Sequence, residues 1–112
     1  MLKMTINDIR TGETAAEWSA IIAENIEAHG KELETTVAME ECAELIQAIS
    51  KVKRYGCSGN WRENLVEEMV DVTIILGEIA TMFGIEESDF VKMMSKKIQR
   101  IKERLHRKEG DI

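Results

Sequence analysis

The sequence predicts an all-α fold: a single antiparallel four-helix bundle-like domain over residues 1–112 that oligomerises. Three observations carry this expectation. Proline is absent and glycine occurs only seven times in 112 residues, so little interrupts a long helix. Apolar residues recur at helical spacing in four stretches. Glycines fall between those stretches, at Gly30, Gly56, Gly59 and Gly84, where helix ends are expected.

The elements follow in order. Residues 1–13 show no clear period, and Met4-Thr5-Ile6 suits an extended segment or a helical turn equally. The first helix is expected over 14–29. Thr14 and Glu17 read as a capping box, the hydroxyl accepting the Glu17 amide and the carboxylate reaching back. Trp18, Ile22 and Ile26 give it an apolar stripe, with Ile21 adjoining. The second helix, 32–55, ends at the Gly56-Cys57-Ser58-Gly59 loop. Asn60 is the expected cap of the third, 61–83, with Glu63 as its reciprocal partner. The fourth, 87–107, carries Phe90, Val91, Met94, Ile98, Ile101 and Leu105 as its stripe. Short connections make successive helices antiparallel neighbours.

Composition narrows the function classes. Apolar residues make up 44% and charged residues 32%, the balance of a folded soluble domain. Aromatics are 4%, so the core is expected to be aliphatic and filled with Met. A net charge of −6 disfavours nucleic acid as a partner. No stretch approaches the ~18 apolar residues of a membrane span, and no signal-peptide pattern is present. The cytoplasm is the expected address, with no membrane partner. Cys42 and Cys57 make neither a metal motif nor a disulfide framework.

The second and third helices share one anomaly. With Glu41 at the centre of a helical wheel, Val37, Glu44, Leu45, Ala48, Val52 and Tyr55 all fall within about 60° of it. With Glu68 at the centre, Trp61, Leu65, Asp71, Val72, Ile75, Ile79, Met82 and Phe83 do the same. Each apolar stripe is thus interrupted by two acids three residues apart. Glu40, Gln47 and Lys51 fall toward solvent, and Glu63, Glu67 and Glu78 on the flanks or outside.

Side chains at i and i+3 lie roughly 5–6 Å apart on one face. Antiparallel packing therefore lets Glu41, Glu44, Glu68 and Asp71 converge. Buried together without a counter-ion, they would repel or take up protons. A hard divalent cation removes the conflict, and an all-oxygen ligand set suits Mg²⁺, Mn²⁺ or Ca²⁺ and not zinc. One such pair alone is commonly a solvated face or half of an ion pair. Two facing pairs inside apolar stripes point to a metal site.

Glu40-Glu41-Cys42-Ala43-Glu44 followed by Glu68-Met69-Val70-Asp71 is an EExxE…ExxD pattern. It resembles the MazG-like branch of the all-α nucleoside triphosphate pyrophosphohydrolases, over roughly residues 32–105. That superfamily also holds dimeric dUTPases, dCTP pyrophosphatases and phosphoribosyl-ATP pyrophosphohydrolases. The resemblance implies that Glu41, Glu44, Glu68 and Asp71 bind Mg²⁺, with Mn²⁺ as a substitute. It implies cleavage of a nucleoside triphosphate between its α- and β-phosphates, giving a monophosphate and pyrophosphate, in nucleotide-pool house-cleaning. It implies a homodimer or homotetramer, with sites completed across subunits. On the last helix Lys97 and Arg100 fit the family's Asn–Lys–Arg pattern, but Ser95 stands where Asn is expected.

Further roles remain alternatives at this level. The general base is Glu41 acting through water, or Glu40 or Glu67, each of which also reads as a plain surface acid. Lys97, Arg100 and Arg104 share one arc of about 60° beside Ile101, as phosphate ligands or as a solvated basic face. Lys51 is a further phosphate candidate near the end of the second helix. Trp61 and Asn64 lie on the acidic face and could line the site mouth, Trp61 by stacking on a base and Asn64 by orienting water or a base edge. Trp18 reads as core before stacking, and His29 as a helix-end residue. Met69, Met82, Met93 and Met94 read as core or subunit interface. On the second helix Met39, Cys42, Ile46 and Ile49 widen the stripe beyond what one chain covers, which supports oligomerisation. Competing functions are a specialised dUTP, dCTP or phosphoribosyl-ATP pyrophosphohydrolase and a non-catalytic metal-binding helical bundle.

Overall fold

The structure, a computed structural model, describes residues 12–107 and the side chains of residues 16–107. It is all-helical over those residues. The helices are α1 (Gly12–His29), α2 (Lys31–Tyr55), α3 (Trp61–Met82) and α4 (Glu87–Leu105). The Met4-Thr5-Ile6 segment lies outside the described residues. The first helix starts at Gly12, so Thr14 sits inside it and is not its cap. Asn60 does occupy the cap position of α3, but its side chain makes no capping hydrogen bond.

Glycine ends α1, and the reason is conformational. Gly30 has φ 86°, and its amide closes the last turn on the Ile26 carbonyl at 2.8 Å. A side chain in that region clashes with its own backbone. The turn separates α1 from α2. The Gly56–Asn60 loop does the same between α2 and α3.

The α2–α3 pair is the body of the fold. Ala38, Ala48 and Ile75 are its only buried apolar residues among those described, and two are alanines. Small residues let two backbones approach closely along the seam. α1 lies against both partners, with Ile22 Cδ1 3.5 Å from where a Cβ on Gly77 would stand. At one end Lys31 Nζ sits 4.2 Å from the centre of the Phe83 ring, joining the start of α2 to the end of α3.

The fourth helix departs from the expected packing. Three helices pack together, but no α-carbon of α4 lies within 8 Å of one in another helix. None of its side chains is buried. The chain is accordingly extended, with a radius of gyration of 17.2 Å against about 13 Å for a compact chain of 100 residues. The elbow before α4 is well defined. Gly84 has φ 64°, and the Ile85 amide donates to the Ala80 carbonyl at 2.9 Å, a Schellman closure of α3. Glu86 and Asp89 then form a capping box, with the Glu86 amide donating to Asp89 Oδ2 at 3.0 Å.

Ala48 is 2% exposed, where the seam is tightest. Ala48→Leu should therefore destabilise the fold by about 1–3 kcal/mol through overpacking. A lowered urea midpoint at unchanged slope is the expected reading.

Candidate metal centre

Two layers of acid cross the α2–α3 seam. In the first, Glu41 and Glu44 on α2 meet Glu68 and Asp71 on α3. One oxygen from each of the four lies within 4.8 Å of the others. The i, i+3 spacing on each helix and the antiparallel register produce this convergence. The charge of Asp71 acts on Glu41, and that of Glu44 on Glu68.

The layer is not the dry interior that the stripes suggested. Glu44 is exposed, and Glu41, Glu68 and Asp71 are half-buried. α4 makes no contact with the helices that carry them. Two oxygens are nevertheless buried without any hydrogen-bond partner, Glu41 Oε2 and Glu68 Oε2. Burial and the charges of Glu44 and Asp71 push the Glu41 carboxyl up to about 7. Burial, then Glu44, Asp71 and Glu67, push Glu68 up as well. The carboxylates repel because no donor stands between them.

A divalent cation fits this set. Oxygens at about 2.1–2.5 Å from a shared ion are about 4–5 Å apart across it, the spread seen here. The orphaned oxygens then gain a partner. An all-carboxylate set excludes zinc preference and leaves Mg²⁺, Mn²⁺ and Ca²⁺ open.

The second layer lies seven residues away on each helix, about 10.5 Å along the seam. Buried Ala38 and Ile75 lie between the two layers. Here Glu34 meets Glu78, 4% and 3% exposed. Asn25 Nδ2 on α1 donates to Glu78 Oε1 at 3.0 Å. His29 Nδ1 lies 2.9 Å from the Asn25 carbonyl oxygen and 3.3 Å from Glu34 Oε1. Glu78 Oε2 is buried without a hydrogen-bond partner. Burial and the bond to Glu34 raise the Glu78 carboxyl, against the lowering effects of Asn25 and His29.

This layer corrects the sequence reading. The wheel put Glu78 on the flank of α3, and that flank is covered by α1. His29 does end its helix, but it also faces a buried acid. Glu34 stands one heptad before Glu41, on the same stripe, and that spacing was the signal for it.

The remaining candidates are dispersed. Glu40 and Glu67 are exposed beside the four-acid layer, Glu67 close enough to act on Glu68. Trp61 and Asn64 are half-buried on α3, Asn64 one turn before Glu68. Lys51 is exposed on α2, two turns beyond Glu44. Lys97, Arg100 and Arg104 ride on α4 and are not brought to the acids within one chain. Trp18 is half exposed, and of the four methionines only Met82 is half-buried. Cys42 and Cys57 are both free thiols and exposed. No helix of the described residues is long and apolar enough to cross a membrane.

Compared with known proteins, the chain matches no family model, no curated protein and no solved structure.

The raised carboxyls set a pH dependence. Below the usual value of 4.5 they are protonated in the folded and unfolded chain alike. Between there and about 7 the unfolded chain ionises first, so stability is lost as pH rises. The metal-free Tm is expected to be higher at pH 5 than at pH 8, and millimolar Mg²⁺ or Mn²⁺ at pH 8 should restore it. A flat profile in chelator, with no metal shift, would rule out the repulsive cluster. Glu78→Gln should raise Tm at pH 8 and not at pH 5, while leaving the metal-induced shift intact. Equal effects at both pH values would show that Glu78 is ionised throughout.

Proposed function

We propose that this protein is a Mg²⁺-dependent nucleoside triphosphate pyrophosphohydrolase of the MazG-like kind, with Mn²⁺ as a substitute metal, acting on cytoplasmic nucleotide pools. One observation carries the reading: four carboxylates on two facing helices converge within 4.8 Å, two of them with a buried oxygen that lacks a partner. The EExxE…ExxD order of those residues supports the same assignment.

The roles follow from position. Glu41, Glu44, Glu68 and Asp71 hold the cation. Bound there, it supplies positive charge to phosphate oxygens and acidifies water. Glu67, exposed beside Glu68, is one candidate proton acceptor, and Glu41 acting through a water is another. Glu40, exposed on the other helix, is a third. Asn64 and Trp61, on the same face of α3, border the cluster where a nucleoside would enter. A triphosphate also needs cations. Lys51, two turns beyond Glu44 on α2, is one candidate, and oligomerisation would supply others.

A second reading, a metal-binding helical bundle without turnover, is favoured by the distance of the α4 cations from the acids in a single chain. Specialised hydrolysis of dUTP, dCTP or phosphoribosyl-ATP is a narrower form of the first.

A panel of nucleoside triphosphates with pyrophosphate detection separates these readings. Pyrophosphate release from one or more substrates with Mg²⁺ is expected. Cation binding without release from any of them supports the bundle. Glu44→Gln and Asp71→Asn should each lower turnover by about 10²-fold or more while the helical content persists. Near-normal rates in both would remove these residues from the site.

A further inference from the structure

α1 is held to the rest of the molecule by a narrow strip. Between Ala16 and His29 only Ile22, Asn25 and Ile26 are shielded from solvent, and each only in part. Ile22 reaches the α3 backbone at Gly77. Among the described residues, two polar side-chain contacts tie α1 to its neighbours. Asn25 Nδ2 donates to Glu78 Oε1 at 3.0 Å, and His29 Nδ1 lies 3.3 Å from Glu34 Oε1. Both contacts end on the same pair of buried acids, so the attachment of this helix depends on the charge of that pair.

The pair itself is short of donors. Glu34 and Glu78 are both buried and act on one another directly. Asn25 and His29 each serve one oxygen, and Glu78 Oε2 is left with none. Two ionised carboxylates in contact repel, and burial strengthens the repulsion. One proton changes this. A carboxyl donating to a carboxylate supplies the missing donor and leaves a single charge. Among the described residues, the titratable groups that face Glu78 are Glu34 on α2 and His29 on α1, and α4 makes no contact. Lys31, one turn before Glu34, is directed at the Phe83 ring. Burial and Glu34 push the Glu78 carboxyl up, against the lowering effects of Asn25 and His29. A carboxyl raised in this way favours the packed state at low pH, and that advantage is lost as pH rises through its raised value.

We propose that Glu34, Glu78, Asn25 and His29 form a proton-operated latch: one proton on the carboxyl pair keeps α1 docked on α2 and α3, and its loss to solvent releases α1. In the docked state Glu78 donates from Oε2 to Glu34 and still accepts from Asn25 at Oε1. Released, α1 frays, because a helix of eighteen residues owes most of its stability to packing. Release uncovers Ile22, Ile26 and the Gly77–Glu78 flank of α3. The α2–α3 pair stays joined through Ala38, Ala48 and Ile75. The latch concerns the docking of α1 and stands apart from the reaction proposed above.

Hydrogen exchange followed by mass spectrometry tests the latch, with rates at each pH referred to the unfolded chain at that pH. In the wild type, α1 amides should lose protection between pH 5 and pH 8 by about tenfold or more, the effect of one unit of differential proton affinity. Amides of α3 should stay protected over the same range. The loss in α1 should persist in millimolar Mg²⁺. Glu78→Gln keeps the contact with Asn25 and gives Glu34 a permanent donor, so its α1 should be protected equally at both pH values. Glu34→Gln should behave alike, and it decides the matter if Glu78→Gln does not fold. His29→Gln should retain the transition. A wild-type α1 equally protected at pH 5 and pH 8 overturns the proposal. So does a simultaneous loss in α1 and α3, which is global unfolding. A loss that Mg²⁺ abolishes overturns it too, because the four-acid layer then drives the change. A transition that survives both glutamine variants, or that His29→Gln removes, places the titrating group elsewhere and overturns it as well.

Discussion

Repulsion between carboxylates across the α2–α3 seam is the constraint on which the rest of the structure turns. Six acids, in two layers, face one another where a helix pair ordinarily places leucine and valine. The seam still closes, because Ala38, Ala48 and Ile75 pack between and beyond those layers. Each layer relieves its charge differently. The Glu34–Glu78 layer is covered by α1 and receives the Asn25 amide. The four-acid layer is half-open, receives no donor, and leaves two oxygens without partners.

That difference separates structure from function along a single seam. The closed layer ties α1 to the pair and fixes the spacing of the helices. The open layer has the oxygen count and spread of a hard-cation site. Nucleotide chemistry needs such an ion, a water-accessible approach and cations for the phosphates. On α2 and α3 the chain offers a half-open cluster of four acids that could hold such an ion. The third is concentrated on α4, which reaches no acid of its own chain. The apolar stripe and the basic arc of that helix lie side by side.

The small core has the same origin. Placing acids in the seam removes positions that would otherwise be apolar, and α4 contributes nothing to its own three-helix body. Large apolar residues such as Met39, Ile46, Ile98 and Ile101 remain exposed as a result. With three buried apolar residues among those described, two of them alanine, the described helices have little hydrophobic stabilisation to offset their conformational entropy.

The sequence by itself determined the helices, their glycine boundaries and the four acids that face one another. Those features are local: helical period, absence of proline and i, i+3 spacing depend on near neighbours only. It missed the Glu86–Asp89 box and misplaced the first cap at Thr14, since cap strength depends on where the chain enters the helix. Tertiary structure alone decided which flank of α3 is covered. Glu78 looks marginal on a wheel, and it is buried where a distant helix brings Asn25 to its carboxylate and Ile22 against the neighbouring Gly77. Tertiary structure also decided that α4 stands clear of the body, because two closures at Gly84 and Glu86 set its direction. A helical wheel gives the face of each rod, but the partner of that face is set by turns and by contacts remote in sequence.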